Sequence, residues 1–241
     1  MRFQSWCITD KGLKREGNQD AFLIDDRLGL FIVADGVGGH HGGEVASALA
    51  VETVREVVGH PKALQFKPKE VIYQAYEEAS HRIFDRATEE VRLNGMGTTM
   101  VMGYVRESKL FIANVGDSRC YLYRKPHLWQ VTEDHSLINE QIRLGLMNEE
   151  QAKKVVGKNV ITRSVGFERD VYPDVLEREI SMGDVFLFCS DGLTGMVTDS
   201  DLCSMLNQYS ADKIAPLMID KALAHGGDDN VTVLVLQFQD V

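Results

Sequence analysis

Five aspartates stand beside glycine or asparagine at the margins of apolar, strand-like runs. Asp20 closes Arg15-Glu16-Gly17-Asn18-Gln19-Asp20. Asp35 follows Phe31-Ile32-Val33-Ala34 and precedes Gly36, and Asp191 follows Phe186-Leu187-Phe188-Cys189-Ser190 and precedes Gly192. Asp117 sits in Asn114-Val115-Gly116-Asp117-Ser118-Arg119, and Asp229 in Gly226-Gly227-Asp228-Asp229-Asn230, just ahead of Val231–Leu236. Carboxylate oxygens are the ligands that hard cations such as Mg²⁺ and Mn²⁺ take. A strand end holds such a group on a rigid base, and a glycine lets the backbone turn sharply against a ligand. Each aspartate alone reads equally well as an ordinary turn residue, since Asp-Gly is a common turn pair. Five are more than turns need, and if these strand ends converge, the mutual repulsion of the carboxylates demands cations.

The elements that would carry these acids follow from periodicity. Strand-like runs cover Phe3–Thr9, Ala21–Asp25 and Leu28–Ala34. Apolar residues at helical spacing predict a helix over Glu44–Val58, and a second over Pro68–Asn94 that opens on Pro68 and closes at Asn94-Gly95. Short β-type runs then follow at Thr98–Val105, Leu110–Val115, Cys120–Tyr123 and Leu128–Val131, too close together for crossover helices and therefore antiparallel. From Ser136 to Lys158 the pattern turns polar and short-helical, which reads as a surface flap. Strands resume at Val175–Ile180 and Val185–Cys189, then helices at Asp199–Gln208 and Ala211–Ala224, then a last strand, Val231–Phe238. Two groups of helices among antiparallel strands imply α+β layers with sheets inside and helices outside.

The chain has 241 residues, room for one sizeable core, and neither a repeat nor a low-complexity linker, so residues 1–241 read as one domain. Acidic residues outnumber Lys and Arg by 36 to 26, a formal net charge of −10. That balance disfavours non-specific binding to nucleic acid or an anionic membrane, both of which need a basic face. The four cysteines (Cys7, Cys120, Cys189, Cys203) form no C-x-x-C pair and no zinc-finger spacing, which suits a reducing, cytoplasmic setting. Neither a signal peptide nor a run of about 18 apolar residues occurs.

Taken in order, Arg15-x-x-Asn18-Gln19-Asp20, Asp35-Gly36-Val37-Gly38-Gly39, Gly97-Thr98-Thr99, Gly116-Asp117-Ser118-Arg119, Ser190-Asp191-Gly192 and Asp229-Asn230-Val231-Thr232 resemble the signatures of the type 2C metal-dependent Ser/Thr protein phosphatases, the PPM family, in its bacterial branch. The resemblance covers nearly the whole chain. It implies a four-layer αββα sandwich with a binuclear Mn²⁺ or Mg²⁺ centre between the sheets. Asp35 would bridge both metals, the Gly36 carbonyl would bind the second, and Asp191 and Asp229 would bind the first. Asp20 would hold metal-bound water, Asp117 with Asp191 would make a third, weaker site, and Arg15 would grip the phosphate. The segment Ser136–Arg169 corresponds to the family's flap beside the active site.

The activity so implied is attack of a metal-bridging hydroxide on the phosphorus of phosphoserine or phosphothreonine, without a phosphoenzyme. In keeping with that, no cysteine is followed six positions later by arginine, as a cysteine phosphatase loop requires. His40, after the Gly38-Gly39 turn, is a candidate general acid because its titration range suits neutral pH, with His41 the lesser candidate. Some relatives carry Glu where Gln19 stands; the neutral side chain implies a weaker second site that favours Mn²⁺. The expected partners are phosphorylated proteins, among them a cognate Ser/Thr kinase or its substrate, acted on by a monomer. A silent phosphoprotein-binding module of the same fold is the alternative, and such a module should have lost one of Asp35, Asp191 or Asp229. A hydrolase of small phosphoesters or nucleotides is a third reading, and no P-loop or dinucleotide glycine motif supports it.

Overall fold

The structure is a computed structural model that describes residues 2–38, 42–148, 151 and 160–239. Along the chain come β1 (Arg2–Asp10), β2 (Asp20–Asp25), β3 (Leu30–Val37), α1 (Gly42–Gly59) and α2 (Pro68–Glu89). The middle contributes β4 (Gly97–Thr98), β5 (Met100–Arg106), β6 (Lys109–Val115), β7 (Arg119–Arg124), β8 (His127–Gln130) and the short α3 (Leu137–Arg143). Then follow β9 (Asp174–Glu179), β10 (Val185–Cys189), α4 (Asp191–Thr194), α5 (Asp199–Gln208), α6 (Ala211–Ala224) and β11 (Val231–Gln239).

Two antiparallel sheets result. One has the order β1-β11-β10-β7-β8; the other runs β2-β3-β5-β6-β9, with β4 paired to β3. Their central strands, β3, β10 and β11, are near-continuous apolar runs because both faces are buried. On β3, Leu30, Ile32 and Ala34 pack with α1 and α2, whereas Phe31 and Val33 point the other way, into the layer between the sheets. On β11, Val231, Val233 and Val235 pack with α6, while Leu234, Leu236 and Phe238 enter that same inter-sheet layer. Phe186 and Phe188 of β10 complete it, with Phe186 edge-on to Phe238 at 5.9 Å between centroids. Three apolar layers thus separate four layers of structure, the α+β sandwich with outer helices that the sequence implied.

Two element boundaries differ from the sequence reading by more than two residues. The second helix ends at Glu89, and Val91–Leu93 form a 3-10 turn before Gly95 takes a φ of 75°. Strand β3 does not end at the aspartate but continues to Val37, because Gly36 and Val37 pair with Thr98 and Gly97 of β4. Asp35 is therefore held inside a ladder. It has the parity of Phe31 and Val33, so its side chain belongs to the inter-sheet face.

Candidate metal centre

At one end of the sandwich the inter-sheet layer stops being apolar and becomes acidic. A cavity of about 210 Å³ opens there, and Arg15, Gln19, Asp35, Gly36, Asp117, Asp191 and Asp229 all line it, together with Ile161. The acids arrive from separate elements: Asp35 from β3, Asp117 from the β6–β7 turn, Asp191 from the start of α4 and Asp229 from the turn ahead of β11.

The local chemistry of each turn explains the arrangement. The Asn230 amide donates to the carbonyls of Lys11 (2.8 Å) and Gly17 (2.9 Å), and its Oδ1 accepts from the Gln19 N–H (2.7 Å). One asparagine thereby fastens the 11–19 loop, which carries Arg15, to the turn that carries Asp229. The two Asp-Gly pairs have a steric cause. A Cβ on Gly36 would lie 2.0 Å from the Gly43 carbonyl oxygen, and one on Gly192 would lie 2.0 Å from the Asn230 carbonyl oxygen. Only glycine lets these backbones close on each other.

Asp20 is placed behind the cavity wall, directly opposite Asp35 on the neighbouring strand. Its Oδ2 accepts hydroxyl protons from Thr232 (2.6 Å) and Ser190 (2.8 Å). Its Oδ1 is buried without a partner, and so is Oδ1 of Asp191. Arg15 donates to Asp229 Oδ2 at 2.6 Å, while the other Asp229 oxygen accepts from the Asn230 N–H. The Asp117 turn is braced by His135, whose Nδ1 accepts the Gly116 N–H at 3.1 Å, and by the Thr99–Ser118 hydroxyl pair at 2.7 Å.

Electrostatics mark these acids as strained. Burial pushes Asp20 up to about 7, against the pull of its two hydroxyl donors, and Asp191 and Asp229 add repulsion. Burial also raises Asp35 well above the carboxylate range, with Asp20, Asp191, Asp117 and Asp229 all repelling its charge. Asp117 rises to about 7 by burial and by Asp191, and Asp191 rises by burial and by Asp229. Orphaned carboxylate oxygens within mutually repelling acids are what a cation relieves, so the residues fit a Mn²⁺ or Mg²⁺ centre. The donor set is open: among the described residues no three Asp, Glu, His or Cys side chains are grouped so as to hold an ion by themselves. Backbone carbonyls and water must complete the coordination, as hard cations accept.

Of the residues singled out in the sequence, Arg15, Asp35, Gly36, Asp117, Asp191 and Asp229 line one cavity, and Asp20 backs it. His40 and His41 lie outside the described residues. Sequence reasoning gave no part to Asn230, to the Ser190 and Thr232 hydroxyls that grip Asp20, or to His135. Ser190, Asn230 and Thr232 were visible as neighbours of Asp191 and Asp229; nothing local distinguished His135.

Known proteins share this arrangement of chain. The sequence profile of the family "Protein phosphatase 2C" matches residues 10–231. The chain is 38% identical over 236 residues to "Serine/threonine phosphatase stp" of Listeria innocua, covering 95% of this chain and 93% of the relative. It is 32% identical over 238 residues to "Protein phosphatase PhpP" of Streptococcus pneumoniae, covering 97% and 96%. Among solved structures it is similar to the Mycobacterium tuberculosis serine/threonine phosphatase PstP/Ppp, with a TM-score of 0.91, 30% identity and 99% of each chain covered. The catalytic domain of PstP in complex with two manganese ions is similar too, with a TM-score of 0.88, 31% identity and 99% of each chain covered. The chain belongs to the protein phosphatase 2C family, whose members are metal-dependent.

Proposed function

We propose that the acidic cavity between the sheets is where this serine/threonine protein phosphatase hydrolyses phosphoserine and phosphothreonine in proteins, with Asp35, Asp191 and Asp229 holding two divalent cations. The single observation that carries this reading is the pair of buried, partnerless oxygens on Asp20 and Asp191 among acids that repel one another. The Gly36 carbonyl is the backbone ligand in this proposal, and Asp117 with Asp191 forms a third, weaker site. When bound, the cations neutralise phosphate charge and acidify water toward neutral pH. Mn²⁺ is supported by the related PstP domain, which is described in complex with two manganese ions.

The chain's own groups do the rest. Arg15 is half exposed and offers a planar fork of donors, so it leaves Asp229 and takes two phosphate oxygens. Asp20 has one oxygen fixed by Ser190 and Thr232, so the other is fixed in direction and orients water beside the cations. His40 is the proposed donor of a proton to the departing seryl or threonyl oxygen. Residues 1–241 act as one catalytic domain, with residues 136–169 as a flap whose Ile161 reaches the cavity rim.

Its phosphoprotein substrates include a cognate Ser/Thr kinase or that kinase's targets, and the enzyme acts as a monomer in the cytoplasm. All four cysteines are free, which suits a reducing compartment. Among the described residues, no helix is long and apolar enough to cross a membrane. The test is Mn²⁺-dependent phosphate release from a phosphothreonine peptide, beside p-nitrophenyl phosphate and ATP, with Asp191→Asn as control. Full activity of that variant would overturn the proposed centre, and a preference for ATP would overturn the protein substrate.

A further inference from the structure

Beside the acidic cavity lies a second, larger hollow of about 450 Å³, within the size range of specific ligand pockets. Its character is different. Val37, Ile161, Phe167, Val171 and Tyr172 give it apolar walls, and Phe167 and Tyr172 remain 63% and 75% exposed. Two exposed aromatic side chains in the wall of one hollow form the kind of apolar patch that marks an interaction site. The two hollows adjoin, with Val37 and Ile161 in the wall of both.

Part of the backbone around this hollow is already paired. The Tyr172 carbonyl accepts from Arg163, the Glu168 carbonyl accepts from Ser80 Oγ, and Ser80 Oγ accepts in turn from the Gly166 N–H. Thr98 and Val165 exchange both backbone bonds. These bonds fix the walls, which present apolar side chains with the polar Thr162, Arg163, Ser164, Glu168 and Asp170 among them. Such a mix of apolar walls and a few polar groups suits the side chain of a ligand.

We infer that this hollow is a substrate-specificity pocket that takes an aliphatic or aromatic side chain of the phosphoprotein, from a residue within a few positions of the phosphoserine or phosphothreonine. The occupant follows from adjacency to the phosphate site: a chain whose phosphate sits among the acids and that runs across Val37 and Ile161 brings its neighbouring side chains to Phe167 and Tyr172. This rests on the acidic cavity being the phosphate site, as proposed above.

The experiment uses phosphothreonine peptides of a serine- and glycine-rich background in which a single leucine is walked through each position near the phosphothreonine. The wild-type enzyme with Mn²⁺ is expected to favour the leucine at one or two positions by about tenfold in kcat/KM, through KM, at the low end of what a hydrophobic pocket discriminates. Phe167→Ser and Tyr172→Ser should erase that preference and leave p-nitrophenyl phosphate turnover unchanged. Both side chains are exposed, so the fold should tolerate the changes, and unchanged thermal melts would verify that. Equal turnover of every peptide by the wild type, or a preference that survives both substitutions, overturns the inference. Failure of the phosphate site itself would look different, because Asp191→Asn would then still turn over p-nitrophenyl phosphate.

Discussion

Asp20 and Asp35 face each other across the β2–β3 ladder, two carboxylates in direct register. Like charges at opposed sheet positions are destabilising, and here both are also repelled by Asp191, at the start of α4, and Asp229, in the turn ahead of β11. The fold holds this pair because the surrounding ladders and the Ser190 and Thr232 hydroxyls leave it no escape. Stability has been set aside for a site that a cation completes.

The stability of the metal-free protein should therefore fall as pH rises. The sign follows from proton counts. Asp20 and Asp117 reach about 7 in the folded chain against an ordinary 3.8, and Asp35 and Asp191 are raised as well. Between those limits the folded state binds more protons than the unfolded one, so these groups together withdraw stability as pH climbs. Thermal melts in EDTA should drop from about pH 5 to pH 7.5, and Mn²⁺ should raise the melting temperature more at the higher pH. A metal-free melting temperature that rises over this range would contradict the account.

Arg15→Ala should separate substrate grip from the metal ligands. The guanidinium now pairs with Asp229 Oδ2 at 2.6 Å but is half exposed, so its removal should leave stability nearly unchanged. Lost charge-assisted bonds to phosphate should raise KM for a phosphothreonine peptide and the inhibition constant of inorganic phosphate by roughly ten- to a hundredfold. Mn²⁺ affinity should hold or tighten, since Asp229 loses a competing cation. Steady-state kinetics with a Mn²⁺ titration checks both halves, and an unchanged KM would remove Arg15 from the phosphate site.

Much of this site was readable in the chain because strand parity and turn chemistry act locally. The runs Phe31–Ala34 and Phe186–Cys189 announce buried strands, and the glycines after Asp35 and Asp191 announce close backbone approach, which the 2.0 Å clashes at Gly36 and Gly192 explain. What stayed illegible depended on distant partners. The extension of β3 past Asp35 comes from pairing with β4, more than 60 residues away. His135 meets Gly116 and Asp174 only after distant stretches of chain fold onto the β6–β7 turn, so no local pattern reveals it.

His135 should act as a neutral brace for the Asp117 turn. Its Nδ1 accepts the Gly116 N–H, which leaves the proton on Nε2, facing Asp174 Oδ2 at 3.2 Å. Burial lowers its pKa below 6.5, Asp174 and Glu133 oppose that, and Arg163 adds to it. A depressed histidine gives stability above the unfolded value, and that stability is lost as pH falls through about 6.5 because the unfolded chain takes the proton first. His135→Gln with Mn²⁺ present should destabilise by about 1–2 kcal/mol at pH 7.5 through the lost Gly116 and Asp174 bonds. The gap to wild type should narrow toward about pH 5. Denaturant melts at the two pH values measure it, and a gap that widens in acid would show that His135 is charged in the fold.

Gln19→Glu should strengthen metal binding at the second site. Gln19 lines the acidic cavity next to Gly36, and its main chain is fixed on both sides: Asn230 Oδ1 accepts its N–H, and its carbonyl accepts the Gly36 N–H and the Ser47 hydroxyl. The substitution therefore adds a charge on a backbone that cannot drift. A neutral amide leaves the second cation with less negative charge nearby, so the wild type should need Mn²⁺ in excess and respond weakly to Mg²⁺. Adding a carboxylate should lower the half-saturating concentration of both ions by about tenfold, the lower bound of what outer ligands contribute to metal affinity, with the larger gain for Mg²⁺, which depends more on carboxylate charge than on softer donors. The metal-free variant should melt lower than wild type, because a further carboxylate joins acids that already repel one another. Activity titrated with each ion, beside melts in EDTA, gives both readings; equal saturation of the wild type by micromolar Mg²⁺ would sink the claim that Gln19 weakens the site.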